Sequence, residues 1–315
     1  MSTQTAAHPA DTARPTPPDS ARSLPPAITA DEGRLEVMGV GGVAYYKDIT
    51  GEGPPVVLIH SINAAASAYE MRPLFEALRG RRRVFALDLP GFGRSQRGDR
   101  AYTPALYAEA IERFIVDVAS PQGVPVDAVA LSLSSEFLAL AAGRSPALFS
   151  SLTLLSPTGL GAERPMGGTV RGLLRRALHV APLSDGLFRL LRTAPSIRYF
   201  LKKSFVGPVD DGLARYAQQT AAASGAQYAP LRFVAGELFT PDALRALYAP
   251  LTVPTRIVYD QDPYTGFDRL DELLRDNPRV SALRVAPSLG MAHFERTGAV
   301  VAAIEQPVDR SGAVT

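Results

Sequence analysis

The chain of 315 residues carries 33 Lys and Arg against 31 Asp and Glu, a formal net charge of +2, with 46% hydrophobic and 20% charged residues. That balance suits a globular protein large enough to bury a full core, and it gives no overall signature of nucleic-acid binding. The chain has no cysteine, which excludes disulfides, thiolate zinc sites and cysteine nucleophiles.

Residues 1–30 are rich in Pro, Ala, Ser and Thr, without a sustained helix or strand period, and read as a disordered tail. Asp11 and Asp19 fit poorly with the acid-poor composition of a transit peptide, and no charged segment leads into an apolar run. A soluble, cytoplasmic protein is the expectation, since no apolar stretch is long enough to cross a bilayer.

From Arg34 onward short β-rich runs recur: VAYYKDI, PVVLIH, RVFALDL, DAVALSL, SLTLLS, TRIVYD and SALRVAP. Most are nearly continuous apolar stretches, as expected of strands covered on both faces. Helical patterns such as MRPLFEALRG, PALYAEAIERFIVDVA and SEFLALAAG lie between them. The alternation predicts an α/β fold with a mostly parallel central sheet flanked by helices. Between SLTLLSPTGL and TRIVYD, roughly ninety residues read as helices with Gly and Pro interruptions and no strand. The expected organisation is a core formed by 31–160 and 251–315, with a helical cap inserted over 161–250. Arg171, Arg175, Arg176, Lys202 and Lys203 give the first half of that segment a basic, amphipathic character. Contact with an anionic membrane or an anionic substrate is one reading; a solvated lid surface is the simpler one.

Three strand-to-turn junctions carry the chemistry. The first strand of the parallel set ends at His60, followed by Ser61 and Ile62; the next runs into Asp88-Leu-Pro-Gly-Phe-Gly-Arg-Ser95; the third, VDAVALSLSSEFLALAAG, passes straight into a helix. Together they resemble the α/β-hydrolase family, in which the third junction is the nucleophile elbow G-x-S-x-G. Aligned on that motif, the nucleophile falls on Ser134, with Ser132 and Glu136 in place of the flanking glycines. The resemblance implies an oxyanion hole made by the backbone N–H groups of Ile62 and Ser135, with His60 and Ser61 at the oxyanion turn. Glu136 is expected to project toward the site or its neighbouring loop, tuning rather than replacing the nucleophile.

A serine hydroxyl needs a base. Of the four histidines, His8 lies in the tail, His60 at the oxyanion turn and His179 in the cap. His293, in APSLGMAHFERTG after the last strand, occupies a context that resembles the family's catalytic-histidine loop. Strand TRIVYD runs into Gln261-Asp262-Pro263, which resembles the Asp-Pro turn that supplies the family's acid; the resemblance implies Asp262, with Asp260 as the competitor, and the segment after SLTLLS offers only Ser156, Pro157 and Thr158. The order Ser134, Asp262, His293 agrees with that of α/β-hydrolases. The resemblance implies acyl-enzyme chemistry on a small, hydrophobic ester, thioester, lactone or C–C substrate, with no metal, cofactor or nucleic-acid partner called for. An acyltransferase or lyase on the same fold and a catalytically silent ligand-binding module are the alternatives.

Overall fold

The computed structural model describes residues 24–162 and 181–308, apart from the side chains of 181–185. His8, Arg171, Arg175, Arg176 and His179 therefore lie outside the described residues.

Eight strands form one sheet: β1 (Asp31–Val37), β2 (Gly41–Asp48), β3 (Glu52–Ile59), β4 (Arg82–Leu87), β5 (Val126–Leu131), β6 (Phe149–Leu155), β7 (Thr255–Gln261) and β8 (Val280–Leu289). Their spatial order is β1-β2-β4-β3-β5-β6-β7-β8. The pairings of β1 with β2 and of β2 with β4 are antiparallel, and every pairing from β4 to β8 is parallel. β3 connects outward to β4 on one side, and the chain then returns to place β5 on the other. The strand order thus reverses between β3 and β5, where the carboxyl ends of the strands open a crevice for a ligand.

Successive residues point to opposite faces, and the core divides accordingly. Val57, Ile59, Phe85, Leu87, Ala128 and Ala130 pack with helices α2 (Pro104–Phe114) and α3 (Ser134–Arg144). Val56, Leu58, Val84, Ala86, Val129 and Leu131 pack on the other face with α1 (Arg72–Leu78) and a helix near the C-terminus, Thr297–Glu305. α2 starts where Thr103 accepts the Leu106 N–H at 3.2 Å and Pro104 needs no donor partner.

Between β6 and β7 lie α4 (Ala181–Leu191), α5 (Ala194–Lys203), α6 (Asp211–Ala222) and α7 (Tyr228–Val234). After β7 come α8 (Leu270–Asp276), α9 (Ala292–Glu295) and α10 (Thr297–Glu305). Among the described residues no helix is long and apolar enough to cross a membrane.

Two features depart from expectation. β1, DEGRLEV, is absent from the expected strands: it is an edge strand with mostly exposed, charged residues and lacks the apolar run of a buried one. The tail expected over 1–30 is docked from Pro25 onward. Ala27 and Ile28 are buried, Ala27 N–H donates to Tyr46 Oη at 3.1 Å, and Tyr216 Oη donates to the Pro25 carbonyl at 2.9 Å. Tyr46→Phe leaves the buried Ala27 amide unpaired and is expected to lower the unfolding free energy by about 1–3 kcal/mol, measured by urea titration.

Candidate active site

The turn after β5 has the backbone of a nucleophile elbow, but its apex is Ser132. β5 ends at Leu131, α3 begins at Ser134, and Ser132 between them has a φ of 55°. A non-glycine residue adopts this conformation only where its surroundings impose it. Here Ser132 N–H donates to the Leu155 carbonyl at 2.8 Å, and Ser135 N–H donates back to the Ser132 carbonyl at 3.0 Å. Counted from Ser132, the positions two residues away on either side are Ala130 and Ser134, both small and both fully buried. The motif is therefore A-L-S-L-S, regular in its small flanks, and the apparent anomaly at Glu136 disappears.

Ser134, the residue expected at the apex, does not occupy it. Ser134 opens the first turn of α3, has no exposed surface, and its Oγ donates to the His60 carbonyl at 2.6 Å. It packs the elbow helix against the end of β3 and does not line the cavity. The amide of Ser135, expected at the oxyanion hole, is likewise committed to the Ser132 carbonyl; the residue directly following the apex is Leu133.

Ser132 opens into a cavity of about 410 Å³. Its lining includes the polar residues Ser61, Asn63, Glu70, Ser132 and Asp262, together with Ile62 and the apolar Leu187, Leu191, Ile197, Phe200, Leu201, Leu213 and Phe233 from α4 to α7. Ile62 and Ser132 thus line the same cavity.

His60 is buried and structural. Its Nε2 accepts the Leu89 N–H at 2.9 Å, which leaves Nδ1 as the protonated nitrogen donating to the Ser61 carbonyl at 2.6 Å. Burial holds its pKa down to about 4, so the ring is neutral. Asp88 fastens the neighbouring turn: Oδ1 accepts Ala68 N–H at 2.7 Å and Oδ2 accepts Arg94 N–H at 2.9 Å.

The two acid candidates separate cleanly. Asp260 accepts from Arg284 Nε at 2.7 Å and from Ser288 N–H at 2.9 Å, both on β8, and its carboxyl lies below the usual carboxylate range. Asp262 lines the cavity, with Oδ1 accepting Tyr264 N–H at 2.8 Å. Burial raises its pKa to about 6, against the opposing effect of the bonds it accepts. Gly290 packs so closely that a Cβ there would lie 2.9 Å from Asp262 Oδ2.

His293 is not joined to either partner expected for it. It has no exposed surface; its Nε2 donates to the Glu70 carbonyl at 2.8 Å, and its Nδ1 has no hydrogen-bond partner. Nε2 must carry the proton, because a carbonyl only accepts. The reason is spacing. The residue directly after Gly290 lines the cavity, and that residue is Met291; His293 lies two residues further on, inside α9, and meets the Glu70 carbonyl in the turn before α1.

Glu136 reaches away from the cavity: Oε1 accepts from Thr158 Oγ1 at 2.5 Å and Oε2 from Thr240 N–H at 2.7 Å. It ties α3 to the loops bordering the β6–β7 insertion and does not modulate Ser132 by contact. Of the basic cap residues that are described, Lys202 donates to the Gly207 carbonyl at 2.8 Å and Lys203 lies over the Tyr199 ring; neither lines the cavity. Among the described residues no group of three or more His, Asp or Glu side chains is placed to hold a metal ion.

Reading from sequence misses Ser132, Met291, Glu70 and Asn63. For Ser132 a signal exists, since only a centre at Ser132 has small residues at both flanks. For Met291 the signal is its place after Gly290. Glu70 and Asn63 carry none, because their roles arise from a turn that no local pattern announces.

Residues 56–304 match the Alpha/beta hydrolase family, and the chain belongs to it. Solved structures share the fold at low identity. A serine hydrolase involved in carbazole degradation, the CarC enzyme, is 19% identical with a TM-score of 0.68 over 87% of this chain and 96% of that one. Cfl2 of Burkholderia cenocepacia is 20% identical, TM-score 0.69, over 87% and 94%. A membrane phospholipase A, described as a bacterial virulence factor, is 22% identical, TM-score 0.67, over 87% and 84%. No curated protein matches the chain by sequence.

Because His293 is held neutral with a pKa of about 4, its contribution to stability is fully present above about pH 6.5 and lost as pH falls toward 4. In His293→Gln, the difference in unfolding free energy from the parent is expected to shrink by up to roughly 3 kcal/mol between pH 7 and pH 4, measured by denaturant titration across that range.

Proposed function

We propose that the protein is a serine hydrolase that cleaves small, mainly apolar ester-like substrates through an acyl-enzyme formed on Ser132. The observation that carries this reading is the elbow: a serine held at φ 55° on a strand-to-helix turn, facing a cavity with apolar walls. Strain of this kind at a cavity marks a functional residue more often than a structural one.

In the proposed reaction Ser132 Oγ bonds to the acyl carbon while its proton passes to Asp262, directly or through one water. The carbonyl oxygen takes up the displaced electron pair and is met by the N–H groups of Ile62 and Leu133. Asp262 then returns the proton to the leaving oxygen, and a water deprotonated by Asp262 releases the acid. A carboxylate raised to about 6 is matched to proton transfer near neutral pH. Among the described residues the cavity lining includes no histidine that could perform this step instead.

Supporting this reading are the family membership, the apex serine and the single pair of carboxylates, Glu70 and Asp262, among the described cavity residues. The isolation of His293 favours a second reading, a ligand-binding module without turnover. Labelling by a fluorophosphonate probe separates the two. Ser132→Ala is expected to abolish labelling and to lower kcat on p-nitrophenyl esters by about 10³-fold or more, whereas Ser134→Ala retains activity within about tenfold. A parent protein that neither labels nor turns over any ester of graded acyl length would overturn the enzymatic reading in favour of the silent one.

Because the base acts as a carboxylate, kcat/KM is expected to rise with pH through about 6 and to fall about tenfold per unit below it. Asp262→Asn should abolish this limb, and His293→Gln should leave it in place; a profile that follows His293 instead would reassign the base.

A further inference from the structure

A buried carboxylate holds the loop on which the proposed oxyanion donor sits, and the reaction above does not use it. Glu70 lies in the turn Ala68–Met71 just before α1, is 2% exposed, and lines the cavity. Its Oε2 accepts Ser61 N–H at 2.8 Å and its Oε1 accepts from Asn63 Nδ2, also at 2.8 Å. Asn63 Nδ2 in addition donates to Ser61 Oγ at 2.9 Å, and Asn63 Oδ1 accepts Ala65 N–H at 2.8 Å. Ile62 is the residue between the two that Glu70 grips.

The grip is anchored from behind. Ala68 N–H is held by Asp88 at 2.7 Å, and the Glu70 carbonyl accepts the His293 Nε2–H at 2.8 Å. His293 thus fixes the backbone of the residue whose side chain fixes the loop. Among the described residues no Lys or Arg makes an ion pair with Glu70, and burial raises its carboxyl above the usual range. An acid buried without a cation opposes folding. Its bonds go to donors on one short loop, so what it supplies is a fixed geometry for that loop.

We propose that Glu70 is a positioning residue: with Asn63 it holds the Ser61–Asn63 loop so that the Ile62 N–H faces the oxyanion that forms at Ser132. The inference rests on the hydrolase reading for its catalytic consequence, but the loop clamp itself does not depend on turnover.

The donor and acceptor pattern allows a reciprocal test. Glu70→Gln presents an NH₂ to the Asn63 NH₂, and Asn63→Asp presents a carboxylate to the Glu70 carboxylate. Each single change breaks the pair. The double variant Asn63→Asp/Glu70→Gln restores it with the direction reversed; the Ser61 hydroxyl can then turn to donate to the carboxylate introduced on its loop, while Ala65 N–H keeps an acceptor.

Two readouts apply. On a soluble p-nitrophenyl ester, each single variant is expected to lower kcat by about 10- to 100-fold with KM changed less than about threefold, and the double variant to return within about fivefold of the parent. Independently of activity, amide hydrogen exchange over residues 61–65 should quicken at least about tenfold in each single variant and recover in the double, in the Ser132→Ala background as well. Unchanged exchange in Glu70→Gln, or a double variant no better than the singles, overturns the clamp. Recovered exchange without any ester turnover in the parent overturns the hydrolase reading and leaves the clamp standing. Restored exchange with kcat unaffected by any of the variants would show that the clamp is structural and overturn its catalytic role.

Discussion

The neutral imidazole of His60 joins the three junctions on which the site depends. Its ring accepts from Leu89 beyond β4 and donates to the carbonyl of Ser61 beyond β3, while its own carbonyl takes the Ser134 hydroxyl at the start of α3. Each of these segments leaves the sheet at its carboxyl edge, where the parallel ladder has ended and main-chain groups need new partners. A single side chain with one donor and one acceptor serves two loops only in one tautomer. The oxyanion turn, the turn after β4 and the elbow are thereby held in fixed relation before any substrate is bound.

Around this knot the loops are held mainly by carboxylates that accept from backbone amides. Asp88 holds Ala68 and Arg94, Glu70 holds Ser61, Glu136 holds Thr240, Asp260 holds Ser288 and Asp262 holds Tyr264. Charge-assisted bonds of this kind are short and directional, and they rigidify segments that have no strand or helix partner. The cap helices contribute differently: α4 to α7 offer Leu, Ile and Phe side chains to the cavity and leave their cationic residues elsewhere. Polar precision comes from the sheet edge, and apolar volume comes from the insertion.

Much of this is legible in the sequence. The seven expected strands are β2 to β8, and most of those in the parallel part of the sheet are read from nearly continuous apolar runs. β1 escapes because an edge strand needs no such run. The fold and the neighbourhood of the site follow from DLPGFGRS and the strand running into α3. The identity of the apex follows less directly: two serines two residues apart both fit a loosened motif, the small residues on both flanks favour Ser132, and the end of β5 at Leu131 and the φ of Ser132 decide. His293 is reached by elimination among histidines, a procedure that presumes the base is a histidine. Glu70 lies beyond reach because its meaning depends on a turn and on a residue 223 positions away.

Met291 occupies the cavity wall next to the loop that carries Asp262, and the chain contains no cysteine at all. Oxidants that reach the cavity therefore find a thioether as their soft target there, with no thiol to act as a sacrificial neighbour. Conversion to the sulfoxide would set a polar S=O group in the cavity lining, which also holds the Asp262 carboxyl that burial raises. Oxidation at Met291 would therefore alter the cavity lining and, through methionine sulfoxide reduction, would be open to repair.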